Sequence, residues 1–366
     1  MHRINLVKIL SLLLLTVTIS VNAQHDAQIE GAIEEAHVEK DLKTEIKEYI
    51  NHHLLDSHDF SLFSYEDEAT GEHKYIGAPL PVILWDGGLQ VFSSSKLHQG
   101  ESVAEVGGNF YKLYHGKIYK TDDEGTIIYD EHHHATNVKP LDFSITKNVV
   151  FIFLVGLLMF FMFSRMAKKY KKNPLPSGIG RLLEPIILYV RDDIAIPNIG
   201  KKHYKRYMSY LLTIFFFVWI INLLGLTPLG VNVTNNIAVT LALALMTYFI
   251  TTFSGNKDYW KHIFWMPGVP WPMKIILAPI ELLGTIIKPF SLMIRLYANI
   301  TAGHVVLMSI IGLMFIFKNW IGSPLSFGLA FALSLLELLV AALQAYIFTM
   351  LSALYFGSAV EEHDHH

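Results

Sequence analysis

From residue 148 onward the chain is a succession of long apolar runs separated by short basic or polar breaks. Read as helices, the runs predict membrane spans at about 148–166, 207–226, 237–253, 275–317 and 322–357. Each reaches the roughly 17 residues that a bilayer crossing needs at minimum. A further stretch, about 179–196, interleaves apolar residues with Arg181, Glu184, Arg191, Asp192 and Asp193. That mixture suits a helix lying along the membrane interface. Before residue 148 the pattern is different. Residues 1–23 combine a basic flank (His2, Arg3, Lys8), an apolar core from Ile9 to Val21 and the small-residue site Val21-Asn22-Ala23. They read as a signal peptide, its apolar core being short for a span, with the mature chain starting near Gln24. In residues 24–147, the part 25–57 is acidic, His-containing and of helical composition, while 74–130 suggests short strands with turns at Asp86-Gly87-Gly88, Gly107-Gly108 and Glu124-Gly125. The expected fold class is an all-α polytopic membrane protein with five transmembrane helices, preceded by a small exported segment that is α+β or partly disordered.

The basic residues orient the spans. Arg165, Lys168, Lys169, Lys171 and Lys172 close the first; Lys201, Lys202, Lys205 and Arg206 open the second; Lys257 and Lys261 follow the third; the loop 227–235 has no Lys or Arg. By the positive-inside rule the N-terminal segment lies outside and the tail 361–366 is cytoplasmic, as in a bacterial inner membrane.

The last two runs form a helical hairpin with a polar turn near residue 320, and four polar residues lie inside it: Arg295, His304, Glu337 and Gln344. An ionisable group at bilayer depth costs at least ~2.5–3.5 kcal/mol, which makes each a functional candidate. His304 stands 16 residues before position 320 and Glu337 stands 17 after it; Arg295 stands 25 before and Gln344 stands 24 after. At ~1.5 Å per residue the pairs His304/Glu337 and Arg295/Gln344 form two polar layers about 10–13 Å apart. The runs 275–317 and 322–357 would extend ~64 and ~54 Å as continuous helices, against ~30 Å of hydrocarbon. Either Pro289 breaks the first helix, or both lie steeply across the membrane.

Composition narrows the chemistry. Hydrophobic residues make up 52%, charged residues 17%, the formal net charge is −3 and cysteine is absent. Thiolate chemistry and disulfides are excluded, and nothing indicates a nucleic-acid partner. The chain has no nucleotide loop, no nucleophile motif and no cofactor signature. The clusters His52-His53 and His132-His133-His134 could bind zinc or copper, but solvated surface histidine is the simpler reading. A proton-coupled secondary transporter would use the same intramembrane charges, yet it requires internal repeats that the chain does not display. An exported binding protein, working through its His-rich segment, would leave Arg295, His304 and Glu337 unexplained.

The stretch Pro289-Phe290-Ser291-Leu292-Met293-Ile294-Arg295-Leu296-Tyr297-Ala298-Asn299-Ile300-Thr301-Ala302-Gly303-His304 resembles the signature of subunit a of F-type ATP synthases. Leu343-Gln344-Ala345-Tyr346-Ile347-Phe348 resembles that family's last-helix signature, and Arg191-Asp192-Asp193 through Gly200 and Asn222-Leu223-Leu224-Gly225-Leu226 fit it too. The resemblance covers about 180–357. It implies a proton-conducting stator beside a ring of c subunits, held by peripheral-stalk b subunits within the complete synthase, with ATP chemistry left to partners. It also implies site roles. Arg295 would be the essential arginine whose permanent charge favours the ionised form of a passing ring carboxylate. His304 and Glu337 would line the half-channel open to the outside, with acid and histidine exchanged relative to many family members. Asn299 and Gln344 would support Arg295, Glu281 would line the cytoplasmic exit, and Ser291 would assist.

Overall fold

The computed structural model describes residues 56–66, 73–131, 134–173, 175–227, 231, 233–266, 269–316 and 322–361. All belong to one compact unit, Ile46–His366. The expected signal peptide, nearly all of the expected helical segment 25–57, His52-His53, His132-His133 and the hairpin turn at 317–321 lie outside the described residues.

Eight strands come first: β1 (Asp59–Glu66), β2 (His73–Pro79), β3 (Pro81–Trp85), β4 (Leu89–Ser93), β5 (Ala104–Val106), β6 (Asn109–Tyr114), β7 (Lys117–Thr121) and β8 (Leu141–Asp142). They pair antiparallel as β1-β2, β4-β3-β8 and β5-β6-β7. Gly87 and the Gly107-Gly108 pair take positive φ in the connections β3–β4 and β5–β6, where only glycine adopts that backbone without strain. Val82, Leu84, Phe92, Leu97, Tyr111 and Ile118 fill a small core. Asp86, in the β3–β4 turn, ties two sheets together: it accepts hydrogen bonds from Lys120 Nζ at 2.8 Å and from the Tyr111 hydroxyl at 3.0 Å.

The β-domain is clamped to the helices, not tethered to them. Lys147 N donates to the Ser57 carbonyl at 2.9 Å. Asp56 accepts from Asn148 N at 3.3 Å and from Asn236 Nδ2 at 3.4 Å, capping a helix start from a distant part of the chain, where an anion also suits the helix dipole. Phe60 stacks on Phe151 with ring centroids 5.5 Å apart.

Eight helices follow: α1 (Lys147–Lys172), α2 (Gly180–Tyr189), α3 (Ile196–Ile199), α4 (Tyr204–Gly225), α5 (Ile237–Ser254), α6 (Lys257–Phe264), α7 (Trp271–Ile316) and α8 (Gly322–Val360). A π-helical turn, Val190–Ala195, joins α2 to α3. Five of them, α1, α4, α5, α7 and α8, are long and apolar enough to cross a membrane. The expected polytopic helical fold is therefore present. Pro279 and Pro289 lie inside α7, which runs unbroken for 46 residues; neighbouring helices at membrane depth tolerate such prolines. Of the two expectations for the hairpin, a break at Pro289 is not seen; continuous helices of ~69 and ~58 Å would fit a ~30 Å core only at a large incline.

Small residues set the packing. Ala341, Ala345, Ser352, Ala353, Gly357 and Ala359 are buried along α8 and let neighbouring backbones approach closely. At Gly357 a Cβ would overlap the Asn198 carbonyl oxygen.

Two predictions follow from these contacts. Gly357→Ala must push α8 away from α3, at an overpacking cost of about 1–3 kcal/mol. The fraction of chain surviving a heat challenge in detergent should fall; unchanged survival would mean the helices slide apart freely. In the β-domain, the Lys120 hydrogen bond, helped by that of Tyr111, holds the Asp86 carboxyl below the usual carboxylate range. Its contribution is complete above about pH 4 and fades as pH falls through that lowered value. Protection of the Tyr111 amide from hydrogen exchange, taken relative to its intrinsic rate at each pH, should therefore fall on acidification, and less so in Asp86→Asn, which is already weakened at neutral pH.

Candidate functional site

α7 and α8 pack antiparallel and set two of the predicted residues face to face. His304 Nδ1 lies 3.0 Å from Glu337 Oε1, and both side chains are buried. The atoms are within reach but not aligned as a formed hydrogen bond: among the described residues neither Glu337 oxygen has a hydrogen-bond partner. A buried carboxyl group in that condition is costly to maintain and well placed to exchange a proton. Glycines make the space. A Cβ on Gly303 would come 3.2 Å from Glu337 Oε1, and one on Gly225 would come 3.4 Å from His304 Nε2. One imidazole nitrogen thus addresses α8 and the other the end of α4.

A hydrogen-bonded group on the same side of the bundle has no role assigned from sequence. Thr234 donates to Asn222 Oδ1 at 3.0 Å, and Asn222 Nδ2 reaches the Ala341 carbonyl at 3.5 Å. Thr301, one turn before His304, donates to Asn235 Oδ1. The signal was the lone Asn222 inside an apolar run, together with the Thr234-Asn235-Asn236 tripeptide.

Arg295 lies nine residues before His304, ~13.5 Å along the helix axis. It is half-buried. Among the described residues it forms no hydrogen bond or ion pair, although Tyr355 lies close enough to feel its charge. Ser291 and Asn299, one turn to either side, are exposed, so the three make a polar stripe. Apolar surface surrounds that stripe: Phe290, Ile294, Leu336, Leu339 and Leu343 are all exposed. Gln344 is buried, and no hydrogen bond joins it to Arg295 among the described residues.

At the end of the bundle away from the β-domain is a polar cavity of about 200 Å³, whose wall includes Asp258, His262, Glu281, Lys288 and Glu361. Glu281, Lys288 and Arg295 follow one another at seven-residue steps, two helical turns each, and share one side of α7. A second void of about 10 Å³, enough for about one water, adjoins the first through Tyr259, Thr285 and Lys288 and extends to Leu292 and Tyr355. Lys288 Nζ stands 5.5 Å from the Tyr355 ring centroid. The larger cavity is the polar one; the small inner void, which reaches to within a turn of Arg295 at Leu292, is lined mainly by apolar surface. Towards the other end, Leu296 and Ile300 are buried between Arg295 and His304.

Residues 149–357 match the family described as ATP synthase A chain, and residues 49–143 match a domain of unknown function, DUF8433. Over 238 residues the chain is 44% identical to ATP synthase subunit a 2 of Chlorobaculum tepidum, covering 63% of this chain and 67% of that one. It is 43% identical over 232 residues to ATP synthase subunit a of Chloroherpeton thalassium, with 61% and 69% covered. It is also 43% identical over 233 residues to ATP synthase subunit a of Myxococcus xanthus, with 62% and 76% covered. The family match spans more than half of the chain, and the five long apolar helices agree with it: the chain belongs to the ATP synthase A chain family, as subunit a, a multi-pass, non-catalytic membrane subunit of the proton-translocating sector of the F-type ATP synthase.

Proposed function

We propose that this chain conducts protons through two offset half-channels and that Arg295 works the ring carboxylates between them. One observation carries the reading. A half-buried arginine with no hydrogen bond or ion pair among the described residues sits on an outward apolar surface. A buried His–Glu pair lies towards one membrane face and a polar cavity towards the other.

In this reading a proton enters from the β-domain side and passes by His304 and Glu337, histidine being able to change charge near neutrality. It neutralises a carboxylate on the c-subunit ring, which turns against the exposed face of the hairpin. A carboxylate brought to Arg295 meets a permanently charged guanidinium that favours its ionised form, and the proton leaves through the cavity lined by Glu281. Asn299, Gln344 and Ser291 tune the surroundings of Arg295. Because each elementary charge crossing 100 mV releases about 2.3 kcal/mol, the two paths must not join directly. The buried apolar residues between Arg295 and His304, together with the arginine's own charge, keep them apart. In this reading the cavity opens on the cytoplasmic side of a bacterial inner membrane and the N-terminal segment, exported by its signal peptide, lies outside, an orientation supported by the basic ends of α1 and α4. Peripheral-stalk b subunits hold the chain fixed against the ring.

The direct test is ATP-driven acidification of inverted vesicles, with passive leak and complex assembly measured in the same samples. Arg295→Ala should reduce pumping to background in an assembled complex; normal pumping would end the stator reading. His304→Ala and Glu337→Ala should each cut pumping about tenfold, since each leaves a buried partner unpaired, a loss of more than ~1.4 kcal/mol. The double exchange His304→Glu with Glu337→His should recover more activity than either single variant retains. An exchange as inactive as the single variants would show that position, not the pair, is what counts.

A further inference from the structure

The sheet β4-β3-β8 carries apolar residues on both faces. Its inner face carries Val82, Leu84 and Phe92 into the β-domain core. The register pairs Trp85 with Leu89 and with Leu141, and Ile83 with Val91, while Phe143 N bonds to the Ile83 carbonyl. These six side chains therefore share the opposite face, and none is charged. Five of them are strongly exposed: Trp85 53%, Leu89 62%, Val91 55%, Leu141 63% and Phe143 64%. An antiparallel sheet facing water normally shows it a polar side, and a contiguous apolar patch marks a contact surface.

The chain places this face at the membrane. β8 runs into α1 without a linker: Phe143 stands four residues before Lys147, the first helical residue, hence at most ~14 Å from it. Backbone hydrogen bonds at Phe143, Ile145 and Lys147 fix the strand to Ile83, Pro81 and Ser57, so the sheet cannot swing away. The uncharged stretch of α1 between Lys147 and Arg165, from Asn148 to Ser164, spans only ~25 Å. A ~30 Å hydrocarbon core must then reach back to the first turn of the helix. The sheet is joined to that turn through only the four residues 143–146, close to the depth where tryptophan and other aromatic residues accumulate at membrane–water boundaries. On α1 itself Phe153, Leu154 and Leu157 are exposed as lipid-facing surface beginning just below.

We propose that the Trp85–Leu89–Leu141 face of the β-domain is a lipid-contact surface that lies in the headgroup region of the leaflet on its own side. The sheet thereby fixes the height and tilt at which α1 enters the bilayer. This inference needs only that α1 spans the membrane; it stands or falls separately from the proton-path reading.

The chain contains no cysteine, so single-cysteine variants of the full-length chain can be labelled cleanly. Nitroxides at Leu89→Cys and Val91→Cys would be compared with Leu157→Cys on lipid-facing α1 and with Glu124→Cys on an exposed β-domain turn. Collision with oxygen and with a water-soluble nickel chelate would be measured in liposomes and again in the assembled complex. The expected oxygen-to-nickel ratio at Leu89 and Val91 lies closer to that of Leu157 than to that of Glu124 in both preparations. Ratios matching Glu124 would place the face in water and overturn the proposal. Protection from both reagents in the assembled complex would assign the face to a protein partner and overturn it equally.

Discussion

A guanidinium held at mid-depth in an apolar hairpin is the constraint on which the membrane domain turns. Arginine does not lose its proton under biological conditions, so the cost of Arg295 cannot be relieved by neutralisation. A carboxylate of the same chain could have offset it, and the fold withholds that carboxylate. Glu337 lies against His304 at 3.0 Å, level with it and not with Arg295, while Glu281 lies fourteen residues away, ~21 Å along α7. Ser291 and Asn299 extend polarity along the surface without adding charge. What remains is an attractive site for a carboxylate arriving from outside the chain, set in apolar surface that another membrane helix can cover.

Close packing makes that arrangement affordable. Helices of 46 and 39 residues have far more apolar length than a bilayer can bury upright, and steep inclination spreads it. Inclined helices cross their neighbours over long contacts, which demand small residues; Ala341, Ala345, Ser352, Ala353 and Gly357 supply them on α8. Hydroxyls do the joining: Tyr210 and Thr247 lie 2.7 Å apart, and Thr247 and Ser352 3.4 Å apart. Such bonds at membrane depth are worth individually modest amounts, but together they tie α4, α5 and α8 to one another.

Much of this was legible in the chain. Apolar runs give the spanning helices because hydrocarbon leaves the backbone no alternative. Counting from a single turn placed His304 opposite Glu337, because helix rise is constant. Tertiary closures were not legible. β1 and β8 were not anticipated: β8 is two residues long, and both strands depend on pairing with partners elsewhere in the chain. The cap that Asp56 places on the start of α1 joins residues ninety-two positions apart, with no local pattern to announce it. The Asn222–Thr234 bond and the cavity bounded by α6, α7 and the end of α8 arise in the same way, from elements that meet only in the fold. Whether Pro289 breaks its helix was open in the sequence, and the fold carries α7 through it unbroken. The polar stripe of Ser291, Arg295 and Asn299 was visible as spacing, but only the fold shows that it faces outward while Gln344 turns inward.

The separation between the two polar regions shows why one helix can serve both. From Glu281 to His304 along α7 is 23 residues, ~35 Å, more than the hydrocarbon is thick. An upright helix would carry the two groups out of the membrane at opposite ends. An inclined one keeps both near membrane depth and displaces them sideways from each other. That lateral offset is what a rotary device needs: a carrier moving in the membrane plane can meet the two sites in turn, while water following the shortest path across the membrane meets buried Leu296 and Ile300. Inclination, required by helix length, thus separates the proposed half-channels laterally and adds to the barrier that buried Leu296 and Ile300 make. In the proposed mechanism the charge of Arg295 would then guard only the gap that remains.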